Sequence, residues 1–192
     1  KFFILGKSAN PSLHHMLRRS GQSTYYHPCH YLTIPTRTRL SVPQHTLPPP
    51  RFSVGLLEKK DAHAPYTIHC GHGICAWNTS LMYTLRISRV HPILDLSARM
   101  MLRFRHMDFP PIGTPLRIAT LYDVDGHNFR HLPDALQALH GQGFPYVNIV
   151  CAKDDAWFRL LKKHALFAYA HQLITNFPMA PTDRITLDVR GL

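Results

Sequence analysis

The stretch from residue 116 to residue 150 constrains the fold most, because two β-rich runs enclose a short helical pattern. LRIATLY alternates apolar and polar residues as a half-buried strand does, and FPYVNIV is rich in β-branched and aromatic residues. Between them, PDALQALHG opens with Pro133 and places Leu136 and Leu139 on one face. Gly141 and Gly143 are available to end this helix. The pattern predicts a strand, a turn, a short strand, a helix and a strand.

The first strand runs into LYDVDGHNF, in which two aspartates and a glycine invite a calcium-loop interpretation. An EF-hand loop needs oxygen ligands at positions 1, 3 and 5, a glycine at 6 and a glutamate at 12. With Gly126 at the glycine position, the first and last ligand positions fall on Leu121 and Leu132, which cannot bind a cation. The sequence therefore predicts an Asp-Gly hairpin turn, with HNFRHL as its second strand.

A long helix is predicted after FPYVNIV. Asp154 or Asp155 can cap it, and about twenty residues follow without Gly or Pro. No acidic residue occurs from Ala156 to Thr175. The basic residues whose spacing forms a stripe on this helix are Arg159, Lys162 and Lys163, and Lys153 lies just before it. Beyond the hinge NFPMAP, RITLDVRG alternates as one more strand.

Residues 58–112 carry weaker patterns. MYTLRISRV alternates as a strand, and HPILDLSARMMLRFRHM has apolar residues at helical spacing with Pro92 at its start. Arg99 and Arg103 share a polar face of that helix. Such a face is usually only solvated, and RNA contact is the second interpretation. DFPPIGTPL then predicts a linker.

The charge is concentrated at the N-terminal end. The chain has 22 Lys and Arg against 11 Asp and Glu, and no acidic residue precedes Glu58. Residues 1–57 are predicted to be an extended basic leader with little periodicity, whose candidate RNA contacts are Arg18, Arg19, Arg37 and Arg39. The interpretations that remain open are an organellar targeting region, a tail lying on RNA, and an inert tail. Because the first residue is Lys1, we expect a processed chain or a piece of one.

The cysteine and histidine pattern does not favour a metal or a disulfide framework. HCGHGIC brings His69, Cys70, His72 and Cys75 together. Structural zinc usually needs two separated ligand pairs, and the only other local supply is the trio His27, Cys29 and His30. With 15 histidines a chance cluster is expected, so the sequence predicts a Gly-rich loop with small buried thiols.

Catalytic patterns are not found in the sequence. Cys151 is predicted to be a core thiol, and Trp77 and Trp157 to anchor local cores. We find no nucleophile elbow, phosphate-cradling glycine loop or paired carboxylates. No apolar run approaches the about 18–20 residues of a membrane span. The expectation is a binding protein, not an enzyme, with no cofactor, metal, membrane partner or small-molecule substrate.

The order of landmarks is more specific than any one of them. A strand ends in Leu-Tyr-Asp followed by Asp-Gly, a short strand leads to Asp134-Ala135-Leu136, and Gly143 precedes Phe-Pro-Tyr-Val-Asn-Ile. This order resembles the N-terminal domain of bacterial-type translation initiation factor 3. In that family a Leu-Ile-Asp strand and a glycine turn precede a helix opening Glu-Ala-Leu, and the run Gly-Leu-Asp-Leu-Val-Glu-Ile follows. The resemblance covers about residues 114–175.

The resemblance implies a domain organisation. Residues 1–57 would be a basic leader, 58–112 an extension of strand and helix, 113–175 the factor-like domain with its linker helix, and 176–192 a hinge and the first strand of a second domain. The fold expected is α+β, a small mixed or antiparallel sheet packed with one helix and followed by the long linker helix. The family's Pro-Pro pair and Asp-Tyr-Gly-Lys segment are not matched, so its contact residues in that segment do not carry over by identity.

The resemblance also implies a function. A mitochondrial member would bind ribosomal RNA and proteins of the small subunit in the matrix, block premature joining of the large subunit and support initiator-tRNA selection. The alternative is a structural or assembly protein of the mitochondrial small subunit that keeps this domain for docking.

Overall fold

The computed structural model describes residues 3–7, 11–21, 23–56, 65–81, 85–86, 100, 112–180 and 183–189. Its strands are β1 (Phe3–Lys7), β2 (Tyr25–Pro35), β3 (Phe52–Gly55), β4 (Thr67–Gly71), β5 (Ile74–Asn78), β6 (Leu85–Arg86), β7 (Pro115–Leu116), β8 (Ile118–Tyr122), β9 (Tyr146–Ala152), β10 (Phe167–Thr175) and β11 (Ile185–Asp188). Its α-helices are α1 (Pro11–Arg19), α2 (Leu132–Gly141) and α3 (Ala156–Lys162). Short 3₁₀ turns occur at Thr79–Leu81 and Phe129–His131. The fold is α+β, as predicted.

The main sheet has seven strands in the order β1-β10-β2-β9-β8-β5-β4. β8 and β9 are parallel, because α2 crosses over between them, and the other neighbours in this sheet are antiparallel. β11 pairs in parallel with β3 in a second, two-stranded sheet, and β6 pairs with β7. The sheet is therefore mixed, as expected.

Alternating residues of the central strands serve two cores. Leu121 and Ile149 face α2 and α3, whereas Tyr122 and Val150, one position on, face the β3–β11 pair. The helices contribute Leu136, Leu139, Trp157 and Phe158 to the first core, among others. Trp77 lies in the second. Both tryptophans are core anchors and Cys151 is fully buried, as predicted.

Within the β8–α2–β9 unit, the helix and the strand after it follow the sequence prediction closely. Pro133 lies in the first turn of α2, and Leu136 and Leu139 are buried. The helix ends in a Schellman motif: Gly143, at φ +80°, donates its N–H to His140 O at 2.9 Å, and Phe144 donates to Leu139 O at 3.0 Å. Local signals therefore mark both ends of this helix.

The predicted hairpin after β8 is wrong. The Asp125 carboxylate accepts hydrogen bonds from the backbone N–H groups of His127 and Asn128, both at 2.8 Å, and Asn128 Oδ1 accepts one from the Asp125 N–H at 2.8 Å. This reciprocal pairing resembles a helix capping box, and it turns HNFRHL into a 3₁₀ turn that enters α2 instead of a strand. At Gly126 a side chain would collide with the backbone oxygen of Leu47, which explains the glycine.

The predicted long helix is also wrong. α3 ends at Lys162, and residues 167–175 form β10 between β1 and β2. Asp155 occupies the N-cap position of α3, but its carboxylate accepts from the N–H groups of Arg51 at 3.0 Å and Ala152 at 2.8 Å. Pairing with two neighbouring strands outweighs the helix propensity of residues such as Ala168 and Ala170.

The prediction of an extended leader is wrong for the strands and helix within residues 1–57. β2 lies inside the main sheet, between β9 and β10, and β1 pairs with β10. The main sheet thus takes strands from three of the four predicted segments, and β11 of the fourth contributes Leu187 to the second core. Of the predicted strand MYTLRISRV, the structure describes Leu85–Arg86 as β6; of the predicted helix after it, only Met100 lies within the described residues.

Candidate nucleic-acid interface

The basic stripe predicted on residues 159–163 lies on the outer side of α3. Trp157, Phe158 and Leu161 are buried against the sheet. Residues on the opposite side of the helix, which are spaced three and four positions apart, therefore face outward. The exposed basic residues here, called the α3 basic surface below, are Lys153, Arg159, Lys162 and Lys163. The structure therefore brings together four of the ten predicted contact residues.

His30 of β2 lies beneath this surface. Its ring meets the Phe158 ring at 4.7 Å between centroids, and Lys162 Nζ stands 5.3 Å from the same ring. Burial, and then the nearby charges of Lys153, Lys162 and His171, lower the pKa of His30. Its Nδ1 is buried without a hydrogen-bond partner among the described residues. Cationic groups thus converge here, and within the described residues no acidic side chain pairs with Lys162.

A strip of aromatic rings follows on β10. Phe167 and Tyr169 are 43% and 50% exposed, and their rings lie 5.9 Å apart at 28°. His171 continues the alternation and meets Tyr31 of β2 at 4.5 Å. These four residues, the β10 aromatic strip, lie on the face of the sheet opposite His30, since Tyr31 and His30 are consecutive in β2. The strip and the α3 basic surface therefore flank the same pair of strands.

The remaining predicted contacts lie elsewhere. Arg37 and Arg39 are exposed in the loop after β2, where Arg37 Nε donates to His140 Nε2 at 3.1 Å. That loop begins beyond Pro35, about 17 Å along the strand from His30 at ~3.3 Å per residue. Arg18 and Arg19 are exposed in the last turn of α1. Arg99 and Arg103 lie outside the described residues.

Sequence reasoning missed Arg117 and the aromatic strip. The Arg117 guanidinium stands 4.5 Å over the Phe144 ring, at the same end of α2 as Arg37. A cation over a ring leaves no pattern in a sequence. The alternation of Phe167, Tyr169 and His171 was a usable signal for a strand, but it lay inside a stretch without Gly or Pro.

The residues of HCGHGIC separate in the structure. They form the β4–β5 hairpin, in which Cys70 faces the core and His69 Nδ1 lies 3.5 Å from Cys75 Sγ. Burial raises the pKa of Cys70, and that of Cys29, to about 12, which keeps both thiols protonated at neutral pH. His27 is engaged with Thr175 Oγ1 at 3.2 Å. His72, at the tip, turns away toward α2, where it meets His131 and Asp134.

No protein-family model matches the sequence, and comparison with curated proteins finds no significant match. Within the part of the chain that the structure describes, no helix is both long and apolar enough to cross a membrane.

Proposed function

We propose that the chain is a non-enzymatic RNA-binding protein and that the segment from Lys153 to His171 is its main contact surface. One observation carries this proposal. The segment exposes four Lys and Arg side chains and then two aromatic rings, and no acidic residue follows Asp155 within it. Cations and exposed rings are the two elements that single-stranded nucleic acid sites combine.

The two surfaces would do different work. Lys and Arg of the α3 basic surface contact phosphates and release condensed counterions, so affinity falls with salt. Phe167 and Tyr169 offer faces on which unpaired bases stack, which favours loops and single strands over duplex RNA. The two surfaces lie on opposite faces of β2 and β10. One RNA strand can therefore contact both only if it passes around the outside of the sheet near these two strands.

The RNA partner we propose is the small-subunit ribosomal RNA of mitochondria, with ribosomal proteins beside it. This assignment rests on the resemblance to translation initiation factor 3, including that family's role in subunit joining and initiator-tRNA selection. The second candidate, a resident or assembly protein of the small subunit, is favoured by a specific observation. The segment expected to form the long helix toward a second domain is instead strand β10, inside the sheet.

The test is a fluorescence-anisotropy titration with a labelled single-stranded RNA and a duplex of the same length, at several salt concentrations. Lys162→Glu with Lys163→Glu should weaken binding at least tenfold and flatten the salt dependence, since each lost phosphate contact removes about 0.7 from the slope for single strands. Arg18→Glu with Arg19→Glu makes the same change in net charge. An equal loss in both double variants would mean that affinity follows net charge, and the α3 basic surface would lose its assignment.

Tyr169→Leu tests the aromatic strip separately. It keeps an apolar side chain but removes the ring, so single-stranded binding should weaken by about 1–3 kcal/mol while duplex binding stays unchanged. Equal effects on both RNAs would remove the stacking role.

Sedimentation of mitochondrial ribosomes distinguishes the two cellular roles. A factor should accompany small subunits alone, whereas a resident protein should be present equally in complete ribosomes.

A further inference from the structure

We propose that His72, His131 and Asp134 form a binding site for a transition-metal ion of the zinc class. The three side chains come from three elements: the tip of the β4–β5 hairpin, the 3₁₀ turn before α2, and the first turn of α2. Their ligand atoms all lie within 4.8 Å of one another. Imidazole nitrogen and carboxylate oxygen are ordinary zinc ligands, and His-His-carboxylate is a known three-ligand set.

The distances are close to what a metal needs. His131 Nδ1 is 3.5 Å and His72 Nε2 is 3.9 Å from the same oxygen of Asp134, Oδ2. Two ligands of a tetrahedral zinc ion with bonds of about 2.0–2.1 Å lie about 3.3 Å apart. The two imidazole rings are stacked at 3.7 Å and 7°. A metal ion lies in the plane of each imidazole that ligates it, so at least one ring must rotate substantially out of the stack before both nitrogens point at one ion. Side-chain rotations of this size are available, because His72 and Asp134 are more than half exposed.

The backbone holds His72 in place for this contact. His72 and Gly73 form the two-residue loop between β4 and β5, and both have positive φ, +54° and +77°, as a type I′ turn requires. Histidine is among the residues that tolerate this conformation better than most. The loop directs the ring to α2 while its neighbours His69 and Cys75 remain paired across the two strands.

Water can complete the coordination. His72 and His131 line an open depression of about 530 Å³, whose wall also includes Asp123, Asp125 and His127. The two carboxylates add negative potential that attracts a cation. Solvent in the depression supplies the ligand positions that three side chains leave open.

Arg130 competes with a metal ion for His131. Its Nε donates to His131 Nε2 at 3.1 Å, so in a neutral His131 the proton sits on Nδ1, the atom that would ligate. Binding therefore requires the other tautomer of His131, which releases Arg130. Removing the Arg130 side chain should make metal binding tighter, an effect that general loss of structure would not produce.

The experiment is calorimetric titration of the full chain with zinc chloride, with the zinc-induced rise in the unfolding midpoint as a second readout. We expect one site per chain. His72→Asn, which still tolerates positive φ, and Asp134→Asn should each weaken binding at least tenfold and abolish the rise. His127→Ala, in the same depression, should leave both unchanged, and Arg130→Gln should tighten binding.

Two results would overturn the proposal. Wild-type affinity in His72→Asn and Asp134→Asn would show that zinc binds elsewhere among the histidines. Loss of binding in Cys75→Ser, with His72→Asn unaffected, would place the ion on the His69–Cys75 pair of the hairpin instead. Circular dichroism of each variant shows whether it is folded.

Discussion

Two neighbouring helix-and-strand stretches belong to the same sheet, but only one of them has the secondary structure that its sequence predicts. In the β8–α2–β9 unit, the helix and the strand that follows it form where the sequence predicts them. In the next stretch, residues 156–175, a single predicted helix is instead the short helix α3 and the nine-residue strand β10. Because the two stretches share a sheet and adjoining core residues, they differ in whether the signals that set their secondary structure are local or distant in the chain.

The first unit contains residues that start and stop its helix locally. Pro133 lies at the start of α2 and Gly143 at its end, and Asp125 and Asn128 close the turn before it. The second stretch has no such residue between Ala156 and Thr175. Its break is imposed by strand pairing, with β2 on one side and β1 on the other. β2 lies about 140 residues earlier in the chain and β1 about 170, where no local signal can reveal them.

The largest expected effect tests the packed unit. Leu139 is fully buried between α2 and the sheet, so Leu139→Ala should lower the free energy of unfolding by about 2–5 kcal/mol through lost burial and a cavity. Leu160→Ala, the same change at a half-buried position of α3, should cost clearly less. Urea unfolding followed by circular dichroism measures both. Equal losses would mean that α3 is as firmly packed as α2, and the contrast between the regions would disappear.

The second prediction concerns the junction of the two regions. The Asp155 carboxylate accepts backbone hydrogen bonds from Arg51 and Ala152. It therefore links the start of α3 to the end of β9 and to the residue just before β3. Asp155→Ala leaves two N–H groups without this partner and should cost about 1–3 kcal/mol. The adjacent Asp154→Ala removes only a long ion pair, 3.7 Å, between the exposed Asp154 carboxylate and Arg51, and should change stability less. A loss no larger than that of Asp154→Ala would show that water replaces both contacts.

Prediction from sequence was reliable where local chemistry decides the structure. It identified α2, β9, the burial of both tryptophans, and the outward direction of Arg159, Lys162 and Lys163. It fails for β2, because charge and proline content predict a leader where the structure has a strand in the middle of the sheet. Partners distant in the chain also explain why the β10 aromatic strip and the trio of His72, His131 and Asp134 were missed.

The smallest effect is expected at His30, where β2 joins the two regions by pairing with both Cys151 of β9 and Ala170 of β10. Its pKa lies below the ordinary 6.5, because of burial first and of Lys153, Lys162 and His171 next. Below pH 6.5 the unfolded chain therefore takes up a proton at His30 that the folded chain does not. The free energy of unfolding falls as the pH drops from 6.5 toward the folded-state pKa of His30, and this contribution to stability is fully present above pH 6.5.

His30→Gln should reduce this loss of stability, although His27, whose pKa burial and Arg51 also lower, keeps part of it. Replacement of the exposed His45 by Gln serves as the control. NMR titration of the imidazole separates the causes, because Lys162→Gln should raise the pKa of His30 only part of the way toward 6.5. Full restoration would mean that charge on α3, not burial between the two regions, holds His30 neutral. Added RNA should then raise the same pKa if its phosphates bind at Lys153 and Lys162, and an unmoved His30 resonance at saturating RNA would place the phosphates elsewhere.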